Sequence, residues 1–180
     1  MLYNILEIIK EIFNMSEYKL VWQDEFEIDG RINPEKWKVD IGRGKDGWGN
    51  GESQYYTNNE KNIFVKDGKL HIVALNEHAP DHKNKKVDGA IFGRNYTSGK
   101  ITTYGIKSWK YGRFEIKAKV PKGFGTWPAI WLMPDSYEMG ELWPDCGEID
   151  IMEHLGKNEG VIHHSLHTGK YNFQDDDSQN

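Results

Sequence analysis

A single cysteine, Cys146, in a chain of 180 residues excludes an intrachain disulfide framework. No apolar run approaches the ~20 residues that cross a bilayer, so no membrane partner is expected. Basic charge is not in excess. The chain has 23 Lys and Arg against 28 Asp and Glu, a net charge of -5. It carries no basic stripe, and that argues against nucleic acid as a partner. Internal repeats are lacking, and the only low-complexity segment is the acidic end at Asp175-Asp176-Asp177. An export leader is not readable, which leaves localisation unknown. Leu2, Ile5, Leu6, Ile9, Ile12 and Phe13 have helical spacing, but Glu7, Lys10 and Glu11 interrupt them. No basic n-region precedes them and no small-residue cleavage site follows. Residues 1–14 read as an amphipathic tail outside the domain, and residues 15–180 as one domain.

Long helical patterns are also missing after residue 14. Short apolar runs alternate instead with Gly, Asn, Asp and Pro turns, which indicates an all-β sandwich or barrel. Strand signals fall at Lys19–Trp22, Leu70–Leu75, Ser98–Thr103, Tyr111–Val120, Thr126–Met133 and Val161–Thr168. Lys66-Asp67-Gly68-Lys69 is a turn signal before Leu70. Residues 42–51 hold five glycines around Trp48 and read as a loop, and the lysine-bearing residues 76–89 as an exposed one. Along Tyr111–Val120 the residues Phe114, Ile116, Ala118 and Val120 share a face, opposite Arg113, Glu115, Lys117 and Lys119. Aromatic residues make up 13% of the chain, including seven Trp. That richness in a polar chain suggests stacking surfaces as well as core.

The most informative stretch is Gly147-Glu148-Ile149-Asp150-Ile151-Met152-Glu153-His154. Its period of two predicts a strand, with Glu148 and Asp150 on one face and Ile149 and Ile151 on the other. Dense charge beside an apolar face implies a wet cleft. Glu153 falls on the wrong face by simple counting, and a β-bulge at Ile151–Met152 would return it to the side of Glu148. His163, Ser165 and His167 are expected on that same face from a neighbouring strand. Two glutamates across a cleft suit retaining glycoside hydrolysis. One attacks the anomeric carbon, and the other protonates the leaving oxygen and then activates water. Asp150 between them would orient Glu148, and its charge would help keep Glu153 protonated. Trp127 and Trp131, four apart on a strand, offer flat faces for pyranose rings.

Trp143-Pro144-Asp145-Cys146-Gly147-Glu148-Ile149-Asp150-Ile151-Met152-Glu153 resembles the signature of glycoside hydrolase family 16 in its bulged, laminarinase-type form. Leu20–Phe26, Trp48–Thr57, Tyr96–Ile101, Tyr111–Glu115 and Gly125–Trp131 resemble further motifs of that family in the same order. The resemblance implies a concanavalin-like β-jelly-roll of two antiparallel sheets. It implies retaining endo-hydrolysis of β-1,3-glucan, with Glu148 as nucleophile, Asp150 as its assisting carboxylate and Glu153 as general acid/base. Trp127 and Trp131 match family sugar-binding positions, and Trp143, Asn50, Glu52 and His167 are further candidates for substrate contact. No cofactor is implied for catalysis. A structural calcium is implied, held by Glu25 and the backbone of Gly68 with an aspartate near the end of the domain. Family members continue beyond the position of Phe173, so this chain is expected to lack C-terminal strands and to be poorly stable alone. A complete domain would be a monomer acting on β-glucan.

Other readings are narrower. Mixed-linkage β-1,3-1,4-glucan and agar or another galactan are sister specificities; the bulged Met152 argues against the usual bacterial lichenase form, and the Trp48–Thr57 segment favours a laminarinase over an agarase. Transglycosylation and a non-catalytic sugar-binding jelly roll remain as alternatives, although both glutamates are present. His163, His164 and His167 lack metalloprotease spacing and read as structural or substrate-contacting. Cys146 reads as a small buried hydrophobe, and Trp22 and Trp37 as core.

Overall fold

A computed structural model of the chain describes residues 18–81 and 95–172. The tail at residues 1–14, most of the loop at 76–89 and the acidic end at Asp175–Asp177 lie outside the described residues. The chain divides into two compact units, residues 1–113 and 114–180.

Strands of the first unit are two or three residues long: β1 (Lys38–Val39), β2 (Tyr55–Tyr56), β3 (Ile63–Val65), β4 (Leu70–Ile72), β5 (Leu75–Asn76), β6 (Tyr96–Ser98) and β7 (Ile101–Thr102). β3 and β4 form the expected antiparallel hairpin across Lys66–Lys69. Asp67 and Gly68 have φ of 52° and 67°, the left-handed pair whose twist matches flanking strands. β1 pairs with β7, and β5 with β6, both antiparallel. β2 runs parallel to β6, a local exception to the antiparallel sheets expected from sequence. The predicted strand over 70–75 is divided: Leu70–Ile72 pairs with β3, the Val73 N–H extends that pairing to the Asn62 carbonyl at 2.8 Å, and Leu75–Asn76 pairs with β6 instead.

Ile63 and Val65 are buried here, and Asn62 between the strands is fully enclosed. Its amide is satisfied throughout. Nδ2 donates to the Val73 carbonyl at 2.9 Å and to Thr97 Oγ1 at 3.0 Å, while Oδ1 accepts from Thr57 Oγ1 at 2.6 Å. Gly99 passes so close to this cluster that a Cβ would sit 2.3 Å from Ile63 Cγ1, so only glycine fits.

The predicted strand at Lys19–Trp22 does not form. Leu20 and Val21 are exposed, and Trp22 packs edge-on against Trp37 and Trp109 at 5.3 and 5.5 Å. Trp37 donates its indole N–H to Asp24 Oδ2 at 2.7 Å. Trp22 and Trp37 thus take the packing role expected of them.

The second unit is a three-stranded sheet in the order β10-β9-β8, with β8 at Ala129–Leu132, β9 at Glu148–Glu153 and β10 at His163–His167. Both pairings are antiparallel. One helical turn, α1 (Asp135–Glu138), lies between β8 and β9. The predicted strand at Tyr111–Val120 does not form. Its residues join no ladder among the described residues, and all but Val120 are exposed. Its apolar alternation is nevertheless used. Phe114, Ile116, Ala118 and Val120 line a groove of about 370 Å³ with Ile130, Ile151, Met152 and Ile162. Alternation places side chains on a face, whereas a strand also needs a neighbour to accept its backbone hydrogen bonds.

Ile116, Ile149, Ile162 and Leu166 are exposed on this unit. Such a surface on short, open sheets favours association between copies. The 180-residue chain is expected to sediment as dimers and larger species at micromolar concentration and to melt without a sharp transition. A monomeric profile with a cooperative calorimetric melt would contradict this.

Candidate active site

β9 supplies the acidic side chains, and its ladder shows why all three share a face. Trp131 lies opposite Asp150, and the preceding Ile130 lies opposite Met152, so one step on β8 spans two on β9. Across β10, His163 pairs with Glu153 and Ser165 with Asp150, so two steps there span three. Both edges place the surplus residue of β9 at Ile151–Met152, a β-bulge that restores Glu153 to the face of Glu148 and Asp150. His167 lies opposite Glu148 on that face.

Glu148 is half-buried, and its Oε2 accepts the indole N–H of Trp143 at 2.6 Å. Asp150 is the most enclosed of the three, 5% exposed, and its Oδ2 lies 3.2 Å from His167 Nε2. Glu153 Oε1 accepts the indole N–H of Trp127 at 2.8 Å. Each glutamate therefore has its own indole donor. The rings of Trp143 and His167 stand 5.8 Å apart and tilted, forming a wall beside Glu148.

Burial pushes the Glu148 carboxyl above its ordinary value of 4.5, and the negative charge of Asp150 adds to the rise, while the Trp143 N–H and His167 oppose it. Charge from Asp150, assigned from sequence to holding a proton on Glu153, thus acts on Glu148. Between 4.5 and the raised value the folded chain binds more protons here than the unfolded one. This contribution to stability is therefore complete below that window and is lost as pH rises through it. Replacing Trp143 by Phe removes a donor that favours the charged form and should move the Glu148 titration further up. Asp150→Asn should move it down. A carbon-detected NMR titration of Glu148 measures both, and no movement in either variant would contradict the assignment.

The other sequence candidates are distributed as follows. Trp131 is half-buried opposite Asp150. Trp127 is 48% exposed, so its ring face remains open while its N–H is held by Glu153. Asn50 and Glu52 belong to the first unit. Glu52 is the acceptor of a local network there, with donors from Asn50 at 3.4 Å, from the Tyr56 hydroxyl at 3.0 Å and from Gln54. Burial, followed by the Glu52 charge, raises the Tyr56 hydroxyl strongly and keeps it a donor. Tyr56 was not singled out from sequence, and neither was the indole-to-carboxylate pairing. Cys146 is half-buried with Sγ 3.9 Å from Met133 Sδ, and burial raises its thiol, which suits packing rather than nucleophilic attack.

Glu25 is exposed and Gly68 sits in the β3–β4 turn. Calcium takes six to eight oxygens. Among the described residues no group of three His, Cys, Asp or Glu side chains could hold a metal ion. One carboxylate and one carbonyl do not complete such a set, so the described residues alone do not fit the ion.

Residues 50–179 match the family model described as glycosyl hydrolases family 16. A β-glucanase of Rhodothermus marinus is 49% identical over 157 residues, covering 86% of this chain and 50% of that protein. Glucan endo-1,3-beta-glucosidase A1 of Niallia circulans is 40% identical over 156 residues, covering 83% of this chain and 22% of its own length. The crystal structure of the Rhodothermus marinus laminarinase superimposes with a TM-score of 0.75 at 47% identity, covering 87% of this chain and 57% of that one. The chain thus spans half or less of the curated relatives it matches here. The short-stranded, nearly helix-free fold is that of these neighbours, the β-jelly-roll class, and the chain belongs to glycosyl hydrolases family 16.

Proposed function

We propose that the β9 face carries out retaining endo-hydrolysis of β-1,3-glucan of the laminarin type. The observation supporting it most is the bulge at Ile151–Met152, which sets Glu153 beside Glu148 and Asp150 with an indole donor on each glutamate. Glu148 attacks the anomeric carbon as Glu153 gives its proton to the leaving glycosidic oxygen, leaving a glycosyl ester on Glu148. Glu153, now ionised, takes a proton from water, which attacks the same carbon and releases Glu148 with retained configuration. Asp150 and Trp143 oppose each other on Glu148. Asp150 disfavours its charge and Trp143 favours it, and a nucleophile that is ionised but poorly solvated reacts more readily.

Trp127 and Trp131 are proposed to stack on sugar rings, and Trp143 and His167 to contact the sugar being cleaved. Asn50 and Glu52 are proposed as further substrate contacts. The substrate reading draws on two of the proteins compared above, one named a glucan endo-1,3-beta-glucosidase and the other a laminarinase. Reducing-sugar release from laminarin, lichenan and agarose tests it, with laminarin expected to be cleaved at least about tenfold faster than lichenan and agarose left intact. Agarose cleavage without laminarin cleavage would overturn the substrate class. Failure on all three would favour the sugar-binding alternative.

A further inference from the structure

We propose that His163 is the second hydrogen-bond partner of the Glu153 carboxyl, a positioning residue that holds the proton of the general acid. The inference rests on the acid/base reading of Glu153 given above. His163 Nε2 is enclosed by protein yet hydrogen-bonds to nothing. An enclosed polar atom without a partner costs roughly 1–3 kcal/mol and calls for a physical explanation. His163 lies directly opposite Glu153 in the β9–β10 ladder. It alternates with His167, which reaches Asp150 on the acidic face at 3.2 Å, so His163 points to that face as well. Facing residues on antiparallel strands have Cβ atoms ~4.5–5.5 Å apart, within reach of an imidazole and a glutamate that rotates about its side-chain bonds.

Donor and acceptor chemistry then decides the arrangement. The Trp127 indole can only donate, and it occupies Oε1 of Glu153. In the acid form the proton therefore sits on Oε2, and that O–H needs an acceptor. A neutral His163 with its proton on Nδ1 presents a lone pair at Nε2. One donor and one acceptor on either side match a carboxylic acid. They match a carboxylate only when the imidazole proton moves to Nε2, which then donates to Oε2. Once the proton has gone to the leaving oxygen, Oε2 is released toward water, which the second step must deprotonate. The other titratable groups on this face are Glu148 and Asp150 on β9 and His167 on β10, and β8 contributes none.

Two measurements on the full chain test this. In spectra of protein labelled with ¹⁵N-histidine, Glu153→Ala should shift the His163 Nε2 resonance. An unchanged resonance would overturn the proposal, whether or not the chain hydrolyses glucan. In kinetics, His163→Leu should lower kcat on laminarin about tenfold with KM unchanged. It should cost about twofold or less on a dinitrophenyl β-glycoside, whose leaving group needs no proton. His163→Gln, which restores an acceptor oxygen, should recover most of the loss. Equal losses on both substrates, or no recovery with glutamine, would mark His163 as merely structural and overturn the proposal. Failure of the wild-type chain on every β-glucan would instead overturn the functional reading, with the resonance still deciding the role of His163.

Discussion

Replacing Glu148 with glutamine is expected to lower laminarin hydrolysis by about 10⁴-fold, a barrier increase of about 5.4 kcal/mol. An amide cannot form the glycosyl ester. Asp150 cannot replace it, because it is 5% exposed and held beside His167 at 3.2 Å. Fold and stability should survive. Glutamine is nearly the same shape, and its carbonyl oxygen can still accept the Trp143 N–H. Because burial opposes the charge of Glu148, a neutral side chain there should leave the folded content at neutral pH unchanged or slightly higher. Reducing-sugar assays with circular dichroism on the same preparation measure both. More than a tenth of wild-type activity with the fold intact would remove Glu148 from the nucleophile role.

Replacing Glu153 with glutamine should produce a different pattern. Hydrolysis of laminarin should fall by about 10³-fold, within the range expected for a lost general acid/base. An activated dinitrophenyl β-glycoside should still form the glycosyl ester, because its leaving group departs without a proton. Turnover then stalls at the second step, where no base activates water. Added azide, an anionic nucleophile that needs no base, should restore turnover and release a β-glycosyl azide. Stopped-flow detection of a dinitrophenolate burst in the variant is the measurement. The absence of both burst and azide rescue would exchange or dissolve the roles of the two glutamates. Trp127 bears on the same point, since its N–H remains available to the glutamine carbonyl.

The acidic face of β9 was legible because it depends on local counting. Alternation placed Glu148 and Asp150 together, and the odd position of Glu153 called for a bulge, which both neighbouring ladders contain. The turn at Asp67-Gly68 was legible because two positive φ angles demand specific residues. Long-range pairing was not. The parallel contact of Tyr55–Tyr56 with Thr97–Ser98 joins segments about forty residues apart, too short to carry a direction in their own composition. Tyr111–Val120 has strand alternation but joins no ladder among the described residues. The tryptophans were read as flat apolar platforms. Where an indole N–H points depends on the neighbouring strand, and that alone reveals Trp127 and Trp143 as donors to the carboxylates.

In the first unit, Arg43 donates from Nε and Nη2 to the two carboxylate oxygens of Asp81 at 2.9 Å each, and from Nη1 to the Ser53 carbonyl. Its side chain is 6% exposed, so this fork is shielded from water and salt. In polymer terms it is a non-covalent cross-link. It closes a loop of 38 residues, for which the length-dependent closure entropy is roughly 3 kcal/mol. Within that loop lies the glycine-rich turn Gly47–Gly51, whose backbone has the most freedom to lose on folding. Because Arg43 also grips Ser53, the same cation tethers both ends of this turn. The freedom of that segment is therefore governed from a point outside it, by one buried guanidinium.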